Sequence, residues 1–165
     1  MIVIKSRIPS RHIIVLMSTF ILYTDGGSRG NPGPAAAAVR IMEHGTDNTE
    51  PSFLKEYKQY LGETTNNVAE YSAVIMGLEE ALKLGAEAVE LRLDSELVGK
   101  QLRGEYRVKD KKIQTLFVRA WNLKTQFKKF TVTIIQREQN QEADRLVNEA
   151  LDEAQTGCGD GCAAA

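Results

Sequence analysis

Apolar and polar positions alternate over residues 20–24, the repeat of a strand with one buried face, and the run that follows, 25–34, is dense enough in glycine and proline to read as a turn. Residues 35–42 and 53–61 have the same strand character on either side of a polar loop at 44–51, which predicts an antiparallel meander of three strands. Beyond it the repeat lengthens. Val68, Tyr71, Ile75, Leu78 and Leu82 recur every three or four positions, the spacing that stacks side chains on one side of a helix. Thr64-Thr65-Asn66-Asn67 supplies cap chemistry for that helix and Gly85 its stop. Residues 88–93 predict a short strand, and Ser95 can cap a helix carrying Leu97, Val98 and Leu102. A basic helix is expected over 109–127, with Ile113, Leu116, Phe117 and Trp121 on its inner side and the indole in the core. A β-branched strand over 130–135 and a helix over 140–154, with Ala143, Leu146, Val147, Ala150 and Leu151 inward, complete the chain.

A meander followed by alternating helix and strand predicts an α/β fold, a mixed sheet flanked by helices, because parallel pairing needs crossovers of that length. The 165 residues suit one domain, expected over 20–154, with an N-terminal extension at 1–19 and a flexible tail at 155–165. A content of 42% hydrophobic and 26% charged residues excludes disordered and fibrous classes. The only cysteines, Cys158 and Cys162, lie in a small-residue tail, which gives no disulfide framework and too few ligands for structural zinc, and points to the reducing cytoplasm. The apolar stretch 13–22 is too short to span a bilayer, and no small-residue cleavage site follows it, so neither membrane association nor secretion is expected.

Net charge is −1, yet it is unevenly spread. Residues 1–41 carry +4, 42–96 carry −8, 97–129 carry +8 and 130–165 carry −5. A globally basic coat is excluded, and any polyanion site must be local. Four acids stand where strands end and helices begin: Asp25, Glu70, Asp94 and Asp144. Each has a structural explanation, as a turn residue or as a complement to a helix N-terminus. Glu70 and Asp144, however, fall off the apolar stripes of their helices, and Asp25 and Asp94 end strands that would be neighbours if the fourth strand lay beside the first. Carboxylates gathered at one edge need cations to offset their repulsion, and all-oxygen ligands without His or Cys favour Mg²⁺ or Mn²⁺.

Four segments then carry a family resemblance. Tyr23-Thr24-Asp25-Gly26-Gly27-Ser28-Arg29-Gly30-Asn31-Pro32-Gly33-Pro34, Thr64-Thr65-Asn66-Asn67-Val68-Ala69-Glu70, Leu93-Asp94-Ser95 and Arg137-Glu138-Gln139-Asn140-Gln141-Glu142-Ala143-Asp144 resemble, in order and spacing, the signatures of type 1 ribonuclease H. The resemblance covers residues 20–152. It implies a ribonuclease H-like fold with a five-stranded sheet in the order 3-2-1-4-5. It also implies two divalent ions per active site, and hydrolysis of the RNA strand of RNA–DNA hybrids to leave 5′-phosphate and 3′-hydroxyl ends. Carried over by position, Asp25 would bridge both ions, Glu70 and Asp94 would complete one ion's shell, and Asp144 would hold the other. Asn31, Asn66 and Asn67 match positions that contact the hybrid, where amides can bond the 2′-hydroxyl that distinguishes RNA from DNA.

Two departures stand out. Many bacterial members place a His in the loop before the last carboxylate, whereas here the loop reads Gln136-Arg137-Glu138-Gln139-Asn140, as in archaeal and some bacterial branches. Arg137 is the residue expected to meet a phosphate or leaving group there. Glu96 stands where better-known members often have Gln. Arg103, Arg107, Lys109, Lys111 and Lys112 lie where the family places hybrid-gripping basic residues, and could line the DNA strand's phosphates. The hybrid is the expected partner, with no obligate protein partner. A non-catalytic RNA- or hybrid-binding module of the same fold is the alternative. Phosphate binding by the 26–33 loop is disfavoured, since its glycines fit neither nucleotide-binding pattern.

Overall fold

The computed structural model describes residues 17–45 and 49–157. Residues 1–16 of the expected N-terminal extension, and residues 158–165 of the expected tail with both cysteines, lie outside these residues; residues 155–157, expected in the flexible tail, instead continue the last helix. Strands β1 (Thr19–Ser28), β2 (Gly33–Glu43) and β3 (Ser52–Thr64) form the antiparallel meander, followed by helix α1 (Asn66–Lys83). Strand β4 (Ala88–Leu93), helices α2 (Glu96–Leu102) and α3 (Lys111–Lys124), strand β5 (Lys129–Ile134) and helix α4 (Gln141–Gly157) complete the order. The sheet runs β3-β2-β1-β4-β5, with β4 parallel to both β1 and β5, as expected.

The chain departs from its sequence reading at the first turn. Asp25 through Ser28 do not turn; they continue β1, paired from Asp25 opposite Ala38 to Ser28 opposite Ala35. Gly26 and Gly27 serve close approach instead. A Cβ on Gly26 would fall 2.1 Å from the Ala69 carbonyl carbon in α1, and one on Gly27 would fall 3.2 Å from Val147 Cγ1 in α4. The reversal comes later, where Gly30 takes a positive φ of 103° and Arg29 N–H bonds Pro34 O at 2.8 Å.

The two sheet faces are covered differently. Tyr71, Val74 and Leu78 of α1 are fully buried against Leu22, Val39 and Ile41, with Ile113 and Ala120 of α3 in the same core. Burial of each large aliphatic chain there contributes about 1.5–3 kcal/mol. On the other face Leu146, Val147, Ala150 and Leu151 of α4 rest on Ala36 and Ala38. The alanine run of β2 lets α4 settle close to the sheet. Trp121 is not in the core: it is 37% exposed, because Ala120 takes the fully buried place in that turn of α3. Its ring instead flanks Phe117, with Lys124 Nζ 3.3 Å above it. Among the described residues no helix is long and apolar enough to cross a membrane.

Candidate active site

Parallel pairing of β1 with β4 ends at Tyr23 opposite Arg92, and the same register carried two residues further sets Asp25 opposite Asp94. Glu70 arrives from α1, whose start is capped by Thr65 Oγ1 accepting from Val68 N–H at 3.4 Å and whose approach to β1 is permitted by Gly26. Asp144 lies in the first turn of α4. These acids line one cleft of about 280 Å³, together with Asn66, Ser95, Arg137 and Asn148.

Most of the carboxylates are held by donors. Glu70 Oε2 accepts from Ser95 Oγ at 2.8 Å and Oε1 from Asn66 Nδ2 at 3.2 Å. Asp94 Oδ1 accepts from Asn140 Nδ2 at 3.2 Å. Asp144 Oδ1 accepts from Arg137 Nη2 and Oδ2 from Asn148 Nδ2, each at 3.3 Å. Asp25 has only the Gly26 backbone N–H in its favour, and its pKa is pushed up from 3.8 to about 7. Burial is the main cause, reinforced by the charges of Asp94, Asp144 and Glu70. Glu70 is also raised, first by burial and then by Asp94, against the Ser95 and Asn66 bonds that favour its charged form.

The donor set fits a hard divalent cation: oxygen ligands, concentrated negative charge and, among the described residues, neither imidazole nor thiolate lining the cleft. Among the described residues no three of these side chains stand close enough together to form a metal shell by themselves.

The structure distributes the expected hybrid contacts along neighbouring surfaces. Asn31 Oδ1 accepts from the Asn66 backbone N–H at 3.2 Å, which ties the β1–β2 turn to the start of α1. Asn31, Thr65, Asn67 and Lys112 line a groove of about 480 Å³, and Asn67 is shared with another, of about 510 Å³, that reaches Arg107 and Lys109. Arg103 is committed elsewhere, since its Nε and Nη2 donate to Val132 O on β5 at 3.1 and 2.8 Å. Glu96 is ion-paired with Lys100 on the surface of α2. Among the described residues no histidine lines the cleft: His44 stands at the opposite end of β1, its backbone N–H bonded to Thr19 O at 2.8 Å. Ser95, Asn140 and Asn148 are residues that sequence reasoning passed over as site groups. Their signal was position, one residue after Asp94, four before Asp144 and four after it.

Known proteins resemble this chain in sequence and in fold. Residues 23–150 match the family described as reverse transcriptase-like. A bifunctional protein of Mycobacterium tuberculosis is 43% identical over 136 residues, which cover 81% of this chain and 36% of that protein. Its N-terminal RNase H domain, solved as a fusion with maltose-binding protein, superposes with a TM-score of 0.78 at 40% identity, covering 86% of this chain and 99% of that one. Ribonuclease HI of Halobacterium salinarum is 42% identical over 80% of this chain and 64% of its own length. LC11-RNase H1, isolated from compost by a metagenomic approach and solved in complex with an RNA/DNA hybrid, gives a TM-score of 0.74 at 42% identity over 82% of this chain and 99% of that one. The chain thus spans between about a third and two thirds of the curated relatives' lengths. In sequence over most of its length, in strand order and in overall superposition, the chain belongs to the type 1 ribonuclease H family.

Proposed function

We propose that this chain is a metal-dependent endoribonuclease that hydrolyses the RNA strand of RNA–DNA hybrids in the cytoplasm, leaving 5′-phosphate and 3′-hydroxyl ends. The observation that carries the reading is the set of four carboxylates lining one cleft, with Asp25 held near pKa 7 first by burial and then by the charges around it. Asp25, Glu70, Asp94 and Asp144 would hold two Mg²⁺ or Mn²⁺ ions. When bound, such ions lower the pKa of the attacking water and stabilise the leaving oxygen of a phosphodiester.

The protein's part is placement. Ser95 and Asn66 fix both oxygens of Glu70. Arg137, 3.3 Å from Asp144 and largely exposed, is free to swing onto a phosphate or the leaving group where relatives use histidine. Asn31, Asn66 and Asn67 would bond the RNA strand's 2′-hydroxyls, and Arg107, Lys109 and Lys112 would meet the DNA strand's phosphates. The hybrid bound to LC11-RNase H1 supports this substrate class.

The test is cleavage of a hybrid labelled on its RNA strand, with Mg²⁺ or Mn²⁺, beside Asp25→Asn and Asp94→Asn. Wild-type cleavage lost in both variants is the expected result. Intact RNA with tight hybrid binding would leave the non-catalytic module as the function.

A further inference from the structure

Asn140 is 1% exposed and, beyond its bond to Asp94, has been given no part in binding or chemistry. It stands at the start of α4, where an asparagine ordinarily turns its Oδ1 onto the free N–H groups of the first helical turn. Here the amide faces inward. Nδ2 donates to Thr24 O at 2.9 Å and to Asp94 Oδ1 at 3.2 Å, while Oδ1 is buried with no hydrogen-bond partner among the described residues. A main-chain carbonyl and an ionised carboxylate can only accept, so the chemistry fixes this orientation; the flipped amide would set oxygen against oxygen twice. An unpaired buried acceptor is a cost that a side chain kept for stability alone would avoid.

We propose that Asn140 is a positioning residue for the cation-holding carboxylates, registering the ends of β1, β4 and α4 through one side chain and its own carbonyl. Asp25 directly follows the anchored Thr24, Asp94 is held directly, and Asp144 N–H donates to Asn140 O at 3.1 Å. Only one Asp94 oxygen is engaged; Oδ2 takes no hydrogen bond from any described residue and remains available to a cation. The inference rests on the reading of the cleft as a divalent-cation site.

The test is calorimetric titration of the full chain with Mn²⁺ alone, for the wild type, Asn140→Ala and the near-isosteric Asn140→Asp, followed by steady-state kinetics on a hybrid. Loss of such an outer partner typically changes metal affinity or activity about 10–100-fold. Both variants are expected to weaken Mn²⁺ binding by about 10-fold or more and to lower kcat comparably, with KM for the hybrid within about twofold. A folded variant that binds Mn²⁺ within about twofold of the wild type, or whose loss lies in KM alone, overturns the proposal. Wild-type protein that takes up no Mn²⁺ instead sinks the cation-site reading itself. Should neither variant fold, the wild type decides by NMR: the Asn140 side-chain amide protons are expected to resist solvent exchange and to shift when Mg²⁺ is added. Indifference to Mg²⁺ overturns the role.

Discussion

Ser95 uses its hydroxyl twice, donating to Glu70 Oε2 at 2.8 Å and accepting from Val98 N–H at 3.4 Å, so one side chain joins the start of α2 to the second turn of α1. Ser95→Ala removes both bonds. It is expected to lower stability by about 1–2 kcal/mol through the lost cap and to weaken Mn²⁺ binding. Ser95→Asp keeps a capping oxygen but sets a charge against Glu70, so its stability loss is expected to be smaller than that of Ser95→Ala at low pH and larger at neutral pH. Chemical denaturation at two pH values checks both.

Asp25 makes the metal-free protein sensitive to pH. Its folded pKa, about 7, lies above the ordinary 3.8, so the folded state binds the proton more tightly than the unfolded chain does. The stability this gives is fully present below about pH 4 and is lost as pH rises through about 7. Asp25→Asn removes that loss, and is expected to exceed the metal-free wild type in stability at pH 8 by on the order of 2–4 kcal/mol while abolishing cleavage. Denaturant midpoints in EDTA across pH measure it.

Divalent ions should reverse the same penalty. Addition of Mn²⁺ at pH 7 is expected to raise the wild-type Tm and release protons, because a ligand that binds only the folded state stabilises it. Asp25→Asn should lose most of that rise. Differential scanning calorimetry in two buffers of different ionisation enthalpy reads both effects.

The tight seat of α1 on β1 predicts a contrast between adjacent glycines. Gly26→Ala drives a methyl to 2.1 Å from backbone of α1, whereas the same change at Gly27 meets only Val147 Cγ1 at 3.2 Å. Gly26→Ala is expected to cost about 3 kcal/mol or more and to abolish cleavage. Gly27→Ala should cost about 1 kcal/mol. Equilibrium unfolding and a hybrid assay on the two proteins decide.

The basic residues should separate by what they already hold. Lys112→Ala is expected to weaken hybrid binding and to lower the slope of log affinity against log salt by about 1. Arg103→Ala should leave that slope unchanged, since its guanidinium is bound to Val132 O on β5. Salt-dependent binding isotherms distinguish them.

The succession of strands and helices and the candidate acids were legible because they depend on local signals: period-two and helical repeats, and charged residues lying off the apolar stripes. The strand order came from the family resemblance. What escaped depends on distances between segments far apart in the chain. Gly26 and Gly27 read as turn residues because nothing in their neighbourhood announces that Ala69 and Val147 lie against them. Trp121 read as core because its spacing fits the stripe; the choice of Ala120 as the buried member is made by the close approach of α3 to the sheet-covering helix α1. Asn140 read only as the first residue of the last helix, and Thr24 and Asp94, brought in by the sheet, reveal what its amide holds.

The alanines of β2 have a consequence for the cleft as a whole. Ala36 and Ala38 form the bed under α4, and Asp25 is paired with that same Ala38 in the sheet. The depth at which Asp144 stands relative to Asp25 is therefore gauged by methyl groups, spacers with no torsion to readjust. A bulkier residue in that bed would act as a shim, lifting one shore of the cleft from the other while every acid stayed in place along the chain.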